Sequence, residues 1–263
     1  MQFAEHIDLL DRGLHYGDGL FETMAVQGGR VRVLPRHIKR LQLGAARLAI
    51  PLPDVALLEV ALQTAAEELQ EGVLKLIVTR GSGGRGYAPP EFAEPTLVVL
   101  RYPQKLPPLV QDGVVVRLCD LRLARQPALA GMKHLNRLEY VLARAEWREP
   151  EIAEGLLLDS MGELIEAVAS NIFLVHAGRL HTPILDQCGV AGVMRAEVMA
   201  CAEDCGLPVE EERLSLQDVL AADEVFLTNS LYGIRPVHVL QGYREWMQGV
   251  LTQRLQGALR GRL

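Results

Sequence analysis

Apolar residues recur on one helical face in two stretches near the start of the chain. Ile38, Leu41, Ala45 and Leu48 follow Pro35, and Leu58, Leu62, Ala65 and Leu69 form a second stripe. Both predict amphipathic helices, with Pro35 suited to a first turn. Just upstream, LFETMAVQGGRVRVL carries two β-rich runs around Gly28 and Gly29, the pattern of a hairpin whose turn needs positive φ angles. KLIVTRG and PTLVVLRY read as strands around a glycine-rich loop. VVVRL, EGLLLD, SNIFLV, RLHTP and ADEVFLT read as further strands. Leu138, Val141, Leu142 and Ala145 suit a helix over 136–149, a helix follows Gly192, and the mildly basic tail from Trp246 reads as helical with a solvated face.

Strands and helices mix without strict βαβ alternation, which fits an α+β chain of two domains better than one doubly wound sheet. The polar stretch RYPQKLPPLVQDG holds Pro103, Pro107 and Pro108 and reads as a linker. The expected division is therefore 1–102, a linker at 103–113, and a C-terminal domain at 114–263 that carries Lys133.

The 263 residues are 49% hydrophobic, enough for a large core in one or two domains. A net charge of -6 provides no general basic field for phosphate backbones and argues against nucleic acid as a partner. No apolar run reaches the length of a membrane span, and MQFAEHIDLLDRG has acids where a signal peptide needs basic residues, so a cytoplasmic location is expected. Cys119, Cys188, Cys201 and Cys205 form no CxxC pair and are read as buried thiols, with no metal expected.

Lys133 lies among Leu129, Ala130, Gly131 and Met132, at the boundary before the helix predicted from Asn136. A lysine there either snorkels to solvent or is desolvated enough to attack a carbonyl as a Schiff-base lysine. The second role most often serves pyridoxal phosphate, which also needs a partner for its ring nitrogen and an anion site for its phosphate. Glu166, in the apolar stretch LIEAVASNIF, would be paired by a pyridinium, or is a surface glutamate on an edge strand. GVAGVMRAEV places the amides of Val193 and Met194 at a helix start behind Gly189 and Gly192, which is either an anion site or an ordinary glycine loop. Arg40 lies off its helix's apolar stripe, so it clamps phosphate or is solvated. RGSGGRGY lacks the lysine and hydroxyl of a phosphate loop; it is a loop offering Arg85 to a substrate carboxylate, or a plain hairpin loop.

DRGLHYGDGLFET, HIKRL, the lysine loop, EAVASNIF, GVMR and ADEVFLTNS, in this order, resemble the fold-type IV pyridoxal-phosphate family. That family includes D-amino-acid and branched-chain aminotransferases and aminodeoxychorismate lyases. RGSGGRGY and LAGMKHLNRLEYVLAR are most similar to the lyase branch. The resemblance implies the two-domain, D-amino-acid aminotransferase-like architecture, pyridoxal 5'-phosphate as cofactor, and a homodimer. It implies conversion of 4-amino-4-deoxychorismate to 4-aminobenzoate and pyruvate, with a D-amino-acid or branched-chain aminotransferase as the alternative. By the same resemblance Lys133 binds the cofactor, Glu166 meets the ring nitrogen, and Arg40, Val193, Met194 and Ser230 hold the phosphate. Thr23 matches a lyase threonine near the cofactor, and Arg85 an arginine for substrate carboxylate. Ala167 departs from a common glycine, and only ten residues precede Asp11, which shortens the usual opening hairpin.

Overall fold

The computed structural model describes residues 3–109 and 112–263, so part of the expected 103–113 linker, residues 110 and 111, lies outside the described residues. The chain forms two compact units. Met1–Leu106 and Met132–Arg137 make the first, and Pro107–Gly131 with Leu138–Leu263 make the second.

In the first unit, helix α1 (Arg12–Tyr16) leads into β1 (Gly19–Gln27), β2 (Arg30–Val31), helices α2 (Leu34–Leu48) and α3 (Val55–Leu69), then β3 (Gly72–Thr79) and β4 (Leu97–Pro103). The strands form an antiparallel sheet in the order β2-β1-β3-β4. The predicted hairpin is present: Val26 pairs with Val31 and Gln27 with Arg30, and Gly28 and Gly29 take φ of 57° and 70°. Its second strand is only two residues long, because Val33 turns left-handed (φ 47°) and α2 begins at Leu34. The two apolar stripes face inward, with Ile38, Leu41 and Ala45 of α2 and Leu58, Leu62 and Ala65 of α3 buried.

Met132–Arg137 was expected with the C-terminal domain but joins the first unit. Its backbone bonds to the start of β1: Phe21 N–H donates to Lys133 O at 3.0 Å, Leu135 N–H to Gly19 O at 3.0 Å, and Leu20 bridges His134.

The second unit contains β5 (Val114–Leu123), α4 (Leu138–Arg144), β6 (Ile152–Asp159), β7 (Leu164–Ala167), β8 (Asn171–His176), β9 (Arg179–Pro183), α5 (Val193–Asp204), β10 (Val209–Glu212), α6 (Leu216–Ala221), β11 (Glu224–Asn229), β12 (Gly233–Leu240), β13 (Arg244–Glu245) and α7 (Val250–Arg260). A mixed sheet runs β10-β9-β8-β11-β12-β5-β6-β7, with β13 beside β12. Central strands are apolar on both faces: Leu156, Ile172, Leu174, Leu227 and Val237 join one cluster, while Phe173, Phe226, Met194, Val198 and Leu255 join another. The tail is not wholly a solvated face, since α7 buries Leu255 and Leu259. The helix expected over 136–149 is confined to Leu138–Arg144, and its apolar stripe faces outward: Leu138, Val141 and Leu142 are 70%, 61% and 54% exposed.

Candidate functional site

The first unit presents the lysine on a defined strand face. Arg137 donates to Met132 O and His134 O, both at 2.8 Å, and Asn136 Nδ2 donates to Gly17 O at 3.1 Å, which fixes the loop around Lys133. The lysine is half-buried, with its Nζ 4.4 Å from the Phe21 ring centroid. Side chains alternate along β1, so Thr23 shares the Phe21 face, and its cross-strand partner Lys75 places a second amine 5.3 Å from the same ring. Burial, then the Arg137 charge, pushes the neighbouring His134 down to about 4, so that ring is neutral near pH 7.

Glu22 points to the opposite face of β1, where α2 packs. Arg40 approaches it with Nε at 2.8 Å and Nη2 at 2.5 Å, and His37 Nδ1 lies 2.6 Å away. Glu22 is 2% exposed and Arg40 12%, which removes the solvated alternative for Arg40. Burial opposes ionisation of Glu22, but the Arg40 charge and the hydrogen bonds from His37 and Arg40 outweigh it and hold the carboxyl at about 2. Burial lowers His37 more than Glu22 raises it, so the ring is neutral and donates its Nδ1 proton. This trio was not recognised from the sequence. The available signal was an acid on a buried strand face and a His/Arg pair three positions apart on one helix.

The second unit builds a socket around Glu166. Although β7 ends the sheet, Glu166 is 3% exposed, so it is not a surface edge-strand acid. Tyr140 Oη donates to Oε1 at 2.5 Å; Asn171 Nδ2 and Val190 N–H donate to Oε2, both at 3.1 Å. All three of these donors are neutral groups, and together they fix the orientation of the carboxyl. Asn171 also donates to Val190 O at 2.8 Å, tying the socket to the loop before α5. That loop needs its glycines: Gly189 has φ +83°, and a Cβ on Gly192 would lie 2.0 Å from Asn171 Oδ1. Gly192 caps α5 without a side chain, and the helix opens at Val193 and Met194, both buried. The structure thus brings Glu166 and the α5 start together through Asn171. Tyr140 and Val190 were missed in the sequence because each lies far from Glu166 along the chain.

Ser230 is half-buried in the turn after β11. Arg85 is exposed in the loop between β3 and β4, and the Arg12 guanidinium holds the following segment by bonds to the carbonyls of Gly86, Tyr87 and Ala88 at 3.1, 3.0 and 3.2 Å. That anchoring makes the loop more than a plain hairpin connection. Cys119, Cys188 and Cys201 are buried and Cys205 is half-buried, all as free thiols; burial pushes Cys119 and Cys188 up to about 12. Among the described residues no helix is long and apolar enough to cross a membrane.

The chain is similar to known proteins over nearly its whole length. It is 36% identical over 260 residues to the aminodeoxychorismate lyase of Vibrio harveyi, covering 97% of this chain and 96% of that one. It is 35% identical to a putative branched-chain-amino-acid aminotransferase of Methanocaldococcus jannaschii, covering 90% of this chain and 83% of the relative. The solved structure of 4-amino-4-deoxychorismate lyase from Pseudomonas aeruginosa superposes with a TM-score of 0.93 at 50% identity, covering 99% of this chain and 96% of that one. The family model for amino-transferase class IV matches residues 19–240, and the chain belongs to that family.

Proposed function

We propose that this protein is a pyridoxal-phosphate-dependent lyase that converts 4-amino-4-deoxychorismate to 4-aminobenzoate and pyruvate. The carrying observation is the shared face of β1, where the Lys133 amine lies over Phe21 and Thr23 supplies a hydroxyl. The similarity to lyases from two organisms supports the same reading.

The residues fit the cofactor chemically. Glu166 is a buried, oriented acceptor for a protonated ring nitrogen, and the Val193 and Met194 amides begin a helix with no side-chain cap, suited to a phosphate. When bound, pyridoxal phosphate supplies an aldehyde that condenses with amines and a ring that accepts electrons. In this reading Lys133 would hold that aldehyde through its amine and, once the substrate's amine had displaced it, the freed amine would serve as base for the proton on the substrate's amine-bearing carbon. Thr23 handles the proton on the same face. Ser230 and Arg40 add to the phosphate contacts, and Arg85 meets a substrate carboxylate. The substrate's carbon–oxygen bond to the enolpyruvyl group would break with its electrons leaving on oxygen, the carbocycle would become aromatic by loss of the ring proton, and the released enol would take up a proton at carbon to become pyruvate.

The outward stripe of Leu138, Val141 and Leu142 supports a homodimer, because three neighbouring apolar side chains on one short helix gain by being covered. The free thiols support a cytoplasmic location.

Purified protein given aminodeoxychorismate should release equal amounts of 4-aminobenzoate and pyruvate over many turnovers, with no response to added 2-oxoglutarate. Borohydride should fix the cofactor on Lys133. Turnover that requires an oxo acid, with D-alanine or a branched-chain amino acid as donor, would identify an aminotransferase. An adduct on Lys75, the other amine at the Phe21 ring, would overturn the assignment of Lys133.

A further inference from the structure

A chain of buried and half-buried polar side chains in the second unit ends at the turn that carries Ser230. Glu154 of β6 is 4% exposed and accepts hydrogen bonds from Ser170 Oγ at 2.8 Å, Ala169 N–H at 3.1 Å and Arg235 Nη2 at 3.1 Å. The Ser170 hydroxyl, having donated to Glu154, accepts from Asn229 Nδ2 at 3.0 Å. The same Nδ2 reaches Ala169 O at 3.2 Å, while Asn229 Oδ1 accepts from the N–H groups of Leu231 and Tyr232, both at 3.0 Å. These partners fix which end of the Asn229 amide is oxygen. Beyond the turn, the Arg235 guanidinium lies 4.1 Å over the Tyr232 ring, returning the network to Glu154. Thr228 Oγ1 donates to Gly233 O at 2.8 Å and closes the base of the turn.

Ser230 therefore lies between residues locked on both sides by side chains. A buried Glu/Arg pair is a poor means of gaining stability alone, because desolvating both charges offsets most of their attraction and well-packed apolar residues often do better. What it supplies is direction: each donor and acceptor has one partner geometry, and the last link sets the backbone of residues 230–232.

We propose that Glu154, Ser170 and Asn229 are positioning residues that preset the 230–232 turn and thereby raise the protein's affinity for the phosphate of its cofactor. This inference rests on the reading that this turn meets the phosphate. It deepens that reading by assigning the turn's conformation to three residues that precede it in a chain of hydrogen bonds.

Pyridoxal phosphate and pyridoxal differ only in the phosphate, so the ratio of their dissociation constants isolates its contribution. Asn229→Ala should speed amide exchange at Leu231 and Tyr232 in the cofactor-free protein and weaken pyridoxal phosphate about tenfold, the scale of one lost hydrogen bond. Pyridoxal binding should not change. Glu154→Ala should act in the same direction, and Asn229→Asp, which retains the acceptor for both amides, should restore part of the exchange protection. Ser230→Ala should weaken pyridoxal phosphate without altering exchange. If Asn229→Ala leaves exchange unchanged, or speeds exchange with the affinity ratio intact, the proposal is overturned. If Asn229→Ala weakens pyridoxal phosphate relative to pyridoxal but Ser230→Ala does not, the proposal stands and the Ser230 hydroxyl loses its role to the turn's amides.

Discussion

Glu22 in the first unit and Glu154 in the second are buried to the same degree, each faces an arginine, and their protons are pushed in opposite directions. Arg40 meets Glu22 through two nitrogens, at 2.8 and 2.5 Å, and His37 adds a third donor. Arg235 reaches Glu154 through Nη2 at 3.1 Å, and the other donors are a hydroxyl and an amide. Burial is the largest influence on both. It is overcome at Glu22, held at about 2, and prevails at Glu154, whose carboxyl is raised. Burial therefore does not by itself decide how a carboxylate behaves. A two-pronged cationic contact makes Glu22 a structural anion that fixes Arg40 against β1, whereas Glu154 is held chiefly by directed hydrogen bonds and its charge is the less valuable part of it.

The largest test of this contrast is Arg40→Ala, which leaves Glu22 buried with His37 beside it and no guanidinium. Breaking a buried pair in this way costs roughly 3–5 kcal/mol, and urea denaturation of the cofactor-free protein should show it. A loss below about 1 kcal/mol, the range of an exposed pair, would mean that Arg40 does not hold Glu22 in place. The pH dependence is the next largest. The folded value of Glu22 lies below its ordinary 4.5, so its stabilisation is complete above pH 4.5 and is lost as pH falls from there toward about 2. The shift corresponds to about 3 kcal/mol. Glu22→Gln should forfeit that amount at neutral pH and show a flatter stability profile across the acid range. A variant that declines in acid as steeply as the parent protein would assign acid sensitivity to other carboxylates.

The regular elements that position these groups were legible wherever one periodic face became one buried face. The α2 and α3 stripes and the Gly28–Gly29 hairpin are of this kind. The α4 stripe was legible as a pattern but its apolar side is exposed, because periodicity reports that a face is apolar and not what covers it. Strand β12, GIRPVHVL, was not among the strands read from the sequence, and it carries Pro236, which lacks an N–H for a sheet ladder; the register shift between Val237 and Val239 against β5 shows how the sheet accommodates an irregular strand. Of the residues proposed for the site, Lys133 and Glu166 stood out in the sequence because their types conflict with apolar surroundings. Pairings across the chain did not: Glu22 lies 18 residues from Arg40 and Tyr140 lies 26 from Glu166, and only the folded backbone brings such pairs together.

The smallest expected effect is also the sharpest discriminator between the two glutamates. Glu154→Gln resembles the protonated carboxyl in shape, and its carbonyl can still accept from Ser170. Because burial raises Glu154, its ionised form is disfavoured in the folded chain relative to the unfolded chain once pH exceeds the ordinary value of 4.5. The neutral replacement escapes that cost while weakening the single Arg235 contact and giving up the Ala169 N–H bond to Oε2, and Arg235 retains its stacking on Tyr232. The two changes oppose each other, so stability at pH 7 should stay within about 1 kcal/mol of the parent protein, the usual range for swaps that leave packing intact. The difference should shift toward the parent as pH falls through the raised folded value toward 4.5, because its carboxyl is protonated in the fold first, and should level off below 4.5. Urea midpoints for both proteins across pH 4 to 8 measure this directly. A loss at pH 7 as large as that of Glu22→Gln would show that charge, not hydrogen-bond direction, governs both sites.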